Sequence, residues 1–329
     1  MLIILEGPDC VGKSTLTKDI ALNIFASAHR PYHLFRAGPP GKTHPLDAYV
    51  RPLLEFKPSD VVLCDRWHVG EAVYPAVMPR STKMTPGVFD YIELFLQSRG
   101  ATTLVLDQPD EELIRRFNER GDDYVDAPRL LDAAASFRVI KTLLRTDTFA
   151  SKRDITTVAA MREERVRRIR SRFTTWIGSL NPNILLMGDV RACDGQTCNH
   201  RTKHHPAGTA FMPYDATSGA FLFNAIYPAP QNIAVANACD VDPPEELWLE
   251  LGEPPTVALG VKASQRLSEL GISHAAVPHP QYVRRFHHGA RAEYGQLIKS
   301  VSGTERNELK WRPTKPSTAQ TSTASSYVM

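Results

Sequence analysis

The chain has 329 residues, 42% hydrophobic and 23% charged, which exceeds one average domain and supplies buried core for two. Its formal net charge is +3, with 26 Lys+Arg against 23 Asp+Glu in residues 1–183 and 13 of each in 184–329. Bulk charge therefore marks neither half as a strongly basic nucleic-acid binder.

From residue 1 to about 180 the pattern is strand, turn, helix, repeated. Met1–Leu5 is apolar but stops at Glu6 with no basic leader, so it reads as a buried strand over Leu2–Leu5 rather than a signal or membrane segment. A helix is expected over Lys13–Phe25. Val61–Cys64 is a short apolar run closed by Asp65-Arg66. Phe89, Ile92, Phe95 and Leu96 have helical spacing within Phe89–Ser98, and Thr103–Leu106 is a further apolar run. Asp107-Gln108-Pro109-Asp110 suits the start of a helix over Glu111–Arg120. Alternating apolar runs and helices predict an α/β fold, a parallel sheet flanked by helices.

From Ser151 to Trp176 the chain turns basic, with Arg162, Arg165, Arg167, Arg168, Arg170 and Arg172, and reads as the last helix of the first unit with a solvated face. Gly178-Ser179-Leu180-Asn181-Pro182-Asn183 is a breaker cluster and the expected boundary. A second, smaller α/β pattern follows. Its apolar runs are Ile184–Met187, Ile233–Ala236, Thr256–Leu259 and Ala275–Val277, with a helix over Lys262–Leu270. The expected organisation is residues 1–180, residues 184–302 and a disordered tail over 303–329, which is poor in apolar residues.

Gly7-Pro8-Asp9-Cys10-Val11-Gly12-Lys13-Ser14 matches G-x-x-x-x-G-K-[ST] at every fixed position, between an apolar strand and a helix. In such a loop backbone N–H groups wrap a β-phosphate, and the helix start turns its positive dipole end to the same anion. Lys13 supplies charge to the β- and γ-phosphates and Ser14 a hydroxyl to Mg²⁺, so ATP and Mg²⁺ are the expected ligands. Asp65-Arg66 follows an apolar run, at the strand end that faces the ligand crevice of a parallel sheet. An Asp there can hold the metal or orient a substrate, and an Arg there can pair with an acceptor phosphate. The alternative is a surface ion pair.

Leu5-Glu6-Gly7-Pro8-Asp9-Cys10-Val11-Gly12-Lys13-Ser14-Thr15 resembles the phosphate loop of thymidylate kinases. Phe35-Arg36-Ala37-Gly38-Pro39-Pro40-Gly41 is similar to that family's Arg-Glu-Pro-Gly-Gly segment, and Asp65-Arg66-Trp67 with Tyr74 to its Asp-Arg-Tyr…Ala-Tyr spacing. Arg116 and Arg120, before Gly121-Asp122-Asp123, stand where the family carries lid arginines. The resemblance covers residues 1–180 and implies transfer of the ATP γ-phosphoryl group to a nucleoside monophosphate. With the loop pattern it points to Gly7, Gly12, Lys13, Ser14 and Thr15 for ATP, and the loop and strand-end positions of Ser14 and Asp65 make them the expected Mg²⁺ ligands. It also implies that Arg36, Arg66, Asp65 and Tyr74 bind the acceptor. Among the catalytic residues Lys13, Asp9, Arg116 and Arg120, Asp9 would orient acceptor or metal groups, and Arg116 and Arg120 would close on the transferring phosphoryl group. Ala37 departs from the family's Glu, and Gly70-Glu71 and Pro75 replace residues that usually flank the base. No Arg lies within the loop, so the neutralising Arg is expected from the lid.

In the second half, the Leu185–Asp189 turn, Ala210-Phe211…Ser218-Gly219, Ile233–Asn237, Pro255–Gly260 and His279-Pro280 together resemble the uracil-DNA glycosylase superfamily. The resemblance implies a base pocket of Asp189, Phe211, Asn237 and His279, with Phe stacking, Asn reading a base edge and His stabilising charge. Arg284-Arg285-Phe286-His287-His288 could hold phosphates. The bland alternative is a set of ordinary turn and core residues in a fold without that chemistry.

Five cysteines, an odd number with no dense pairing, argue against a disulfide framework and for a reducing cytoplasmic setting, the host cytoplasm for a viral protein. Cys193, Cys198 and His200, with His204 and His205, form a candidate zinc constellation whose spacing fits no standard finger. The leading functional expectation is a deoxynucleoside monophosphate kinase with an appended base-recognition unit. A second is a kinase acting on a hydroxymethylated base in hypermodified viral DNA, and a third gives the second unit only nucleic-acid binding. The expected partners are a nucleotide, DNA through the second unit and a second copy in a homodimer, with no membrane.

Overall fold

A computed structural model describes residues 1–22, 31–57, 59–120, 125–145, 166, 168–173, 175–189, 210–239 and 243–301. The zinc candidates Cys193, Cys198, His200, His204 and His205, the segment 151–165 and the tail 303–329 lie outside the described residues.

The first sheet has the order β2-β3-β1-β4 and is parallel throughout, from β1 (Leu2–Glu6), β2 (Tyr32–Arg36), β3 (Val61–Asp65) and β4 (Ala101–Val105). β1, β3 and β4 are buried along their whole length, as expected of strands covered on both faces. The helices of this half are α1 (Lys13–Ile20), α2 (Pro45–Tyr49), α3 (Arg51–Leu54), α4 (His68–Val77), α5 (Pro86–Ser98), α6 (Asp110–Arg120) and α7 (Ala127–Ile140).

The second sheet has the order β5-β7-β6-β8-β9. β6 (Ile184–Gly188), β7 (Ile233–Asn237), β8 (Thr256–Leu259) and β9 (His274–Val277) are parallel, and the two-residue β5 (Ile177–Gly178) adds antiparallel to β7. Its helices are α8 (Ser218–Ile226), α9 (Pro244–Glu250), α10 (Val261–Glu269), α11 (Pro280–Phe286) and α12 (Arg291–Ser300). The fold is thus α/β, a four-stranded parallel sheet flanked by helices followed by a second sheet of α/β type. Among the described residues no helix is long and apolar enough to cross a membrane.

The described end of the basic segment, 166, 168–173 and 175–176, touches both halves: Arg170 Nε donates to Ser98 O at 3.1 Å. Ile169, Phe173 and Trp176 pack with Leu185, Met187, Ala234 and Leu247 against the second sheet. Gly178, expected in a linker, is a paired strand residue at φ 109°, where a Cβ would lie 2.1 Å from Ile233 O. The glycine serves close backbone approach there, not flexibility.

One hydrophobic cluster joins the two sheets. Ile4, Val62 and Cys64 contribute from the first, Ile184, Leu186, Val235 and Val257 from the second, and Tyr91 and Phe95 of α5 lie among them. α5 is buried nearly all round, which fits a helix enclosed by protein. Tyr91 meets Phe223 of α8 edge to face at 5.1 Å. A polar clasp sits beside this contact: Arg145 is 3% exposed, pairs with Asp90 at 3.1 Å, and donates to the carbonyls of Ala229, Pro230 and Gln231.

Candidate functional site: a phosphate loop beside a large cavity

The loop between β1 and α1 needs two glycines for different reasons. Gly7 sits at φ 135°, and a Cβ there would come within 2.6 Å of Leu106 O. Gly12, at φ 101°, is the residue that caps α1 in left-handed conformation, leaving the first N–H groups of the helix directed into the loop. Lys13 is 5% exposed and its Nζ donates to Gly7 O at 2.7 Å and Pro8 O at 2.5 Å. Burial, aided by the Arg66 charge, lowers its pKa to about 8 against the opposing pull of Asp9, Glu6 and Asp65. A buried ammonium held only by carbonyl oxygens is a site that an anion would complete.

The end of β3 supplies the other wall. Ser14 Oγ donates to Asp65 Oδ2 at 3.2 Å, and Arg36 Nε approaches the same oxygen at 3.4 Å. Asp65 Oδ1 is buried with no hydrogen-bond partner among the described residues. A hydroxyl beside a carboxylate with an unused oxygen is a donor set that hard Mg²⁺ accepts, so these two residues fit that ion. Among the described residues no group of three or more His, Cys, Asp or Glu is placed to hold a metal.

Arg66 takes φ 69°, unusual for a side-chain-bearing residue. The turn aims its guanidinium at Asp9 Oδ1, forming a direct ion pair. Tyr74 Oη of α4 donates to Asp9 Oδ2 at 2.9 Å, and burial followed by the Asp9 charge raises the Tyr74 pKa. Glu6 braces the same turn from below. Its Oε1 accepts from Trp67 N and Val69 N, each at 2.9 Å, and burial raises its pKa.

Two cavities meet at this point. The smaller, about 340 Å³, is lined by the loop from Cys10 to Thr15 together with Arg116, Glu119 and Arg120. The larger, about 640 Å³, is walled by Tyr49, Trp67, Gly70, Glu71, Tyr74 and Arg80, among others. Asp9, Arg66 and Arg120 border both. Arg116 is anchored by Glu112 at 2.6 Å and reaches Val11 O at 3.5 Å. Gly7, Asp9, Gly12, Lys13, Ser14, Thr15, Arg66, Tyr74, Arg116 and Arg120 are therefore gathered around the two cavities, and Asp65 lies behind Ser14 without lining either. Arg36 pairs with Asp65 and lines neither cavity. Sequence reasoning did not assign Tyr49 and Arg80 to the site, and marked Glu71 only as a departure at a base-flanking position. Arg80 lies in the polar stretch before α5, where no spacing marks it.

In the second half, Asp189, Phe211, Asn237 and His279 also come together, at the ends of β6, β7 and β9. A Cβ on Gly188 would lie 2.2 Å from the Phe211 ring and 2.8 Å from Asn237 Oδ1. The Phe211 and His279 rings are 5.8 Å apart and tilted by 34°. A Cβ on Gly260 would meet Asp189 Oδ1 at 2.9 Å and His279 Cβ at 3.1 Å. Asp189 Oδ1 accepts from Ala263 N at 2.8 Å, so the carboxylate also ties down the start of α10. Burial lowers the His279 pKa against the pull of Asp189, and its Nδ1 accepts from Gln281 N at 3.2 Å.

No protein-family profile matches the chain, and no curated protein sequence does either. Two solved structures are similar over about half of it. One is the YorR protein from Bacillus subtilis in complex with phosphorylated GDP, at 19% identity and a TM-score of 0.39, covering 50% of this chain and 98% of that one. The other is deoxyadenosine kinase from M. mycoides with products dCMP and a flexible dCDP bound, at 12% identity and a TM-score of 0.29, covering 51% and 100%.

Proposed function

We propose that the chain transfers the γ-phosphoryl group of ATP to a nucleoside monophosphate, most simply a deoxynucleotide. The observation that carries this reading is the meeting of the phosphate loop and the 640 Å³ cavity at Asp9, Arg66 and Arg120. A cavity of that size suits one small ligand, and its mouth lies beside the place where a γ-phosphate would sit.

In this reading the loop amides and Lys13 hold the β- and γ-phosphates. Arg116 and Arg120 neutralise charge that develops as an acceptor phosphate oxygen bonds to the γ-phosphorus and the bond to the ADP oxygen breaks. Arg66, held at a fixed angle by Asp9 and Tyr74, orients the acceptor phosphate, with Arg36 nearby. Ser14 and Asp65 would hold Mg²⁺, which when bound supplies charge neutralisation between the phosphates.

The two units, residues 1–180 and 184–302, are proposed to hold separate sites, the acceptor cavity in the first and a base pocket in the second, although the strand Ile177–Gly178 pairs with the second sheet. Convergence of Phe211, Asn237 and His279 favours base recognition by the second unit. It also supports the reading in which the acceptor is a hydroxymethylated base in DNA. Incubation with ATP and either free deoxynucleoside monophosphates or hydroxymethylated DNA separates the two acceptors. A nucleoside diphosphate product supports the first, and phosphorylated DNA alone overturns it. DNA binding by the intact protein that Asn237→Ala leaves unweakened would remove the second unit's proposed role.

A further inference from the structure

The stretch 37–49 serves both halves. On one side it walls the larger cavity with Ala37, Gly38, Pro39 and Tyr49. Tyr49 is fixed there: its carbonyl accepts from Trp67 Nε1 at 3.1 Å, and its Oη donates to Gly38 O at 3.4 Å. On the other side α2 meets the second half. Asp47 Oδ1 accepts from Tyr214 Oη at 2.7 Å, the His44 and Tyr214 rings lie 4.9 Å apart, and His44 Nε2 stands 4.0 Å from Asp215 Oδ1. Tyr214 and Asp215 belong to the same short segment as Phe211, whose ring lies against Gly188 in the second pocket. That segment is held under strain. Phe211 (φ 53°) and Ala216 (φ 59°) bracket Tyr214 in the left-handed region, which residues with side chains rarely adopt. Gly219 of α8 presses on it so closely that a Cβ would lie 2.2 Å from Phe211 O. Tyr214 is 6% exposed, and burial followed by the Asp47 bond raises its pKa, so the hydroxyl keeps its proton and goes on donating to Asp47.

Resting on the nucleotide-acceptor reading above, we infer that the Asp47–Tyr214 joint couples the two pockets, so that filling the acceptor cavity in the first half orders the segment that carries Phe211 in the second. Tyr214 is then a positioning residue for a site it does not touch. It holds α2, and α2 holds Tyr49 at the cavity wall. An acceptor packed against Tyr49 favours the placement of α2 in which Asp47 meets Tyr214, and that contact keeps Phe211 in its left-handed turn. Coupling requires an element that both sites touch and that has two arrangements, and a strained segment kept in place by a few anchors meets that requirement. Linkage makes the effect reciprocal: a ligand seated against the ordered Phe211 strengthens acceptor binding by the same factor.

The test uses the intact protein with dGMP, dTMP, dAMP and dCMP, each alone. Binding is measured by calorimetry and amide hydrogen exchange without ATP, and turnover with ATP. A bound nucleotide should slow exchange in peptides covering 210–217, in the half of the chain that it does not touch. Tyr214→Phe, which removes only the hydroxyl, should abolish that protection and raise the acceptor Kd and KM by roughly 5-fold or more, leaving kcat and the KM for ATP nearly unchanged. Asp47→Asn, which keeps an oxygen for the tyrosine hydroxyl, should retain part of both effects. Nucleotide binding that leaves 210–217 unprotected in the wild type would overturn the coupling. A Tyr214→Phe variant that lowers the thermal midpoint but keeps acceptor affinity and protection, as for a purely structural residue, would overturn it too. Binding with protection but without transfer would refute phosphotransfer and leave the coupling standing. Binding of none of the four by a protein that binds ATP would refute the nucleotide-acceptor reading and the coupling with it.

Discussion

Lys13 is the residue on which the phosphate loop turns. It is a buried cation whose hydrogen bonds go to two carbonyl oxygens, and burial with the Arg66 charge drops its pKa to about 8 against the pull of Asp9, Glu6 and Asp65. Such a group is poised for an anion, and two outcomes follow. Replacing it in Lys13→Ala should lower phosphoryl transfer by roughly 10²-fold or more while leaving the thermal midpoint nearly unchanged, since the side chain serves the anion rather than the core. The second outcome concerns protons. Between about pH 8 and the ordinary lysine range, free Lys13 is largely neutral. Bound triphosphate favours the ammonium and raises its pKa, so ATP binding at pH 9 should take up protons. Calorimetry in two buffers of different ionisation enthalpy reads that uptake. Lys13→Met should abolish it.

At the scale of elements, the strands that were legible in the sequence are those whose apolar run ends at a turn. β1, β3, β6, β7 and β8 are buried end to end, so their composition carries their structure. β2 was not legible, because Tyr32–Arg36 is an edge strand with His33, Leu34 and Arg36 exposed and no clear alternation. α12 was hidden by Gly295, which reads as a helix breaker. Its reason is contact: a Cβ there would lie 1.9 Å from Ala225 O of α8. Gly295→Ala should therefore destabilise the protein by about 1–3 kcal/mol in urea unfolding, despite alanine's better helix propensity. An unchanged or raised midpoint would show that α8 and α12 do not pack this closely. The site divides in the same way. The phosphate loop is one contiguous pattern and was readable, whereas the larger cavity is assembled from Tyr49, Glu71 and Arg80 on separate segments and exists only once they are folded together.

For the whole molecule, the question is how the two sheets are joined. The shared cluster around α5 and the Arg145 clasp both tie the first half to the second. Arg145→Ala would leave Asp90 buried without its charge partner, although Asp90 keeps a hydrogen bond from Ala229 N at 2.9 Å. The variant should lose about 3 kcal/mol or more, read by denaturant titration. Probes in the two halves should give coincident transitions in the wild type, and separated transitions would argue that the shared cluster does not couple them.

The measurement that bears most directly on the central claim follows the γ-phosphoryl group itself. The intact protein is given γ-labelled ATP, Mg²⁺ and a mixture of deoxynucleoside monophosphates, and the labelled products are separated. The account predicts label in a nucleoside diphosphate with wild-type protein, and loss of that product with Lys13→Ala. Protein that binds ATP but leaves the label in ATP or inorganic phosphate, with every monophosphate present, would contradict it.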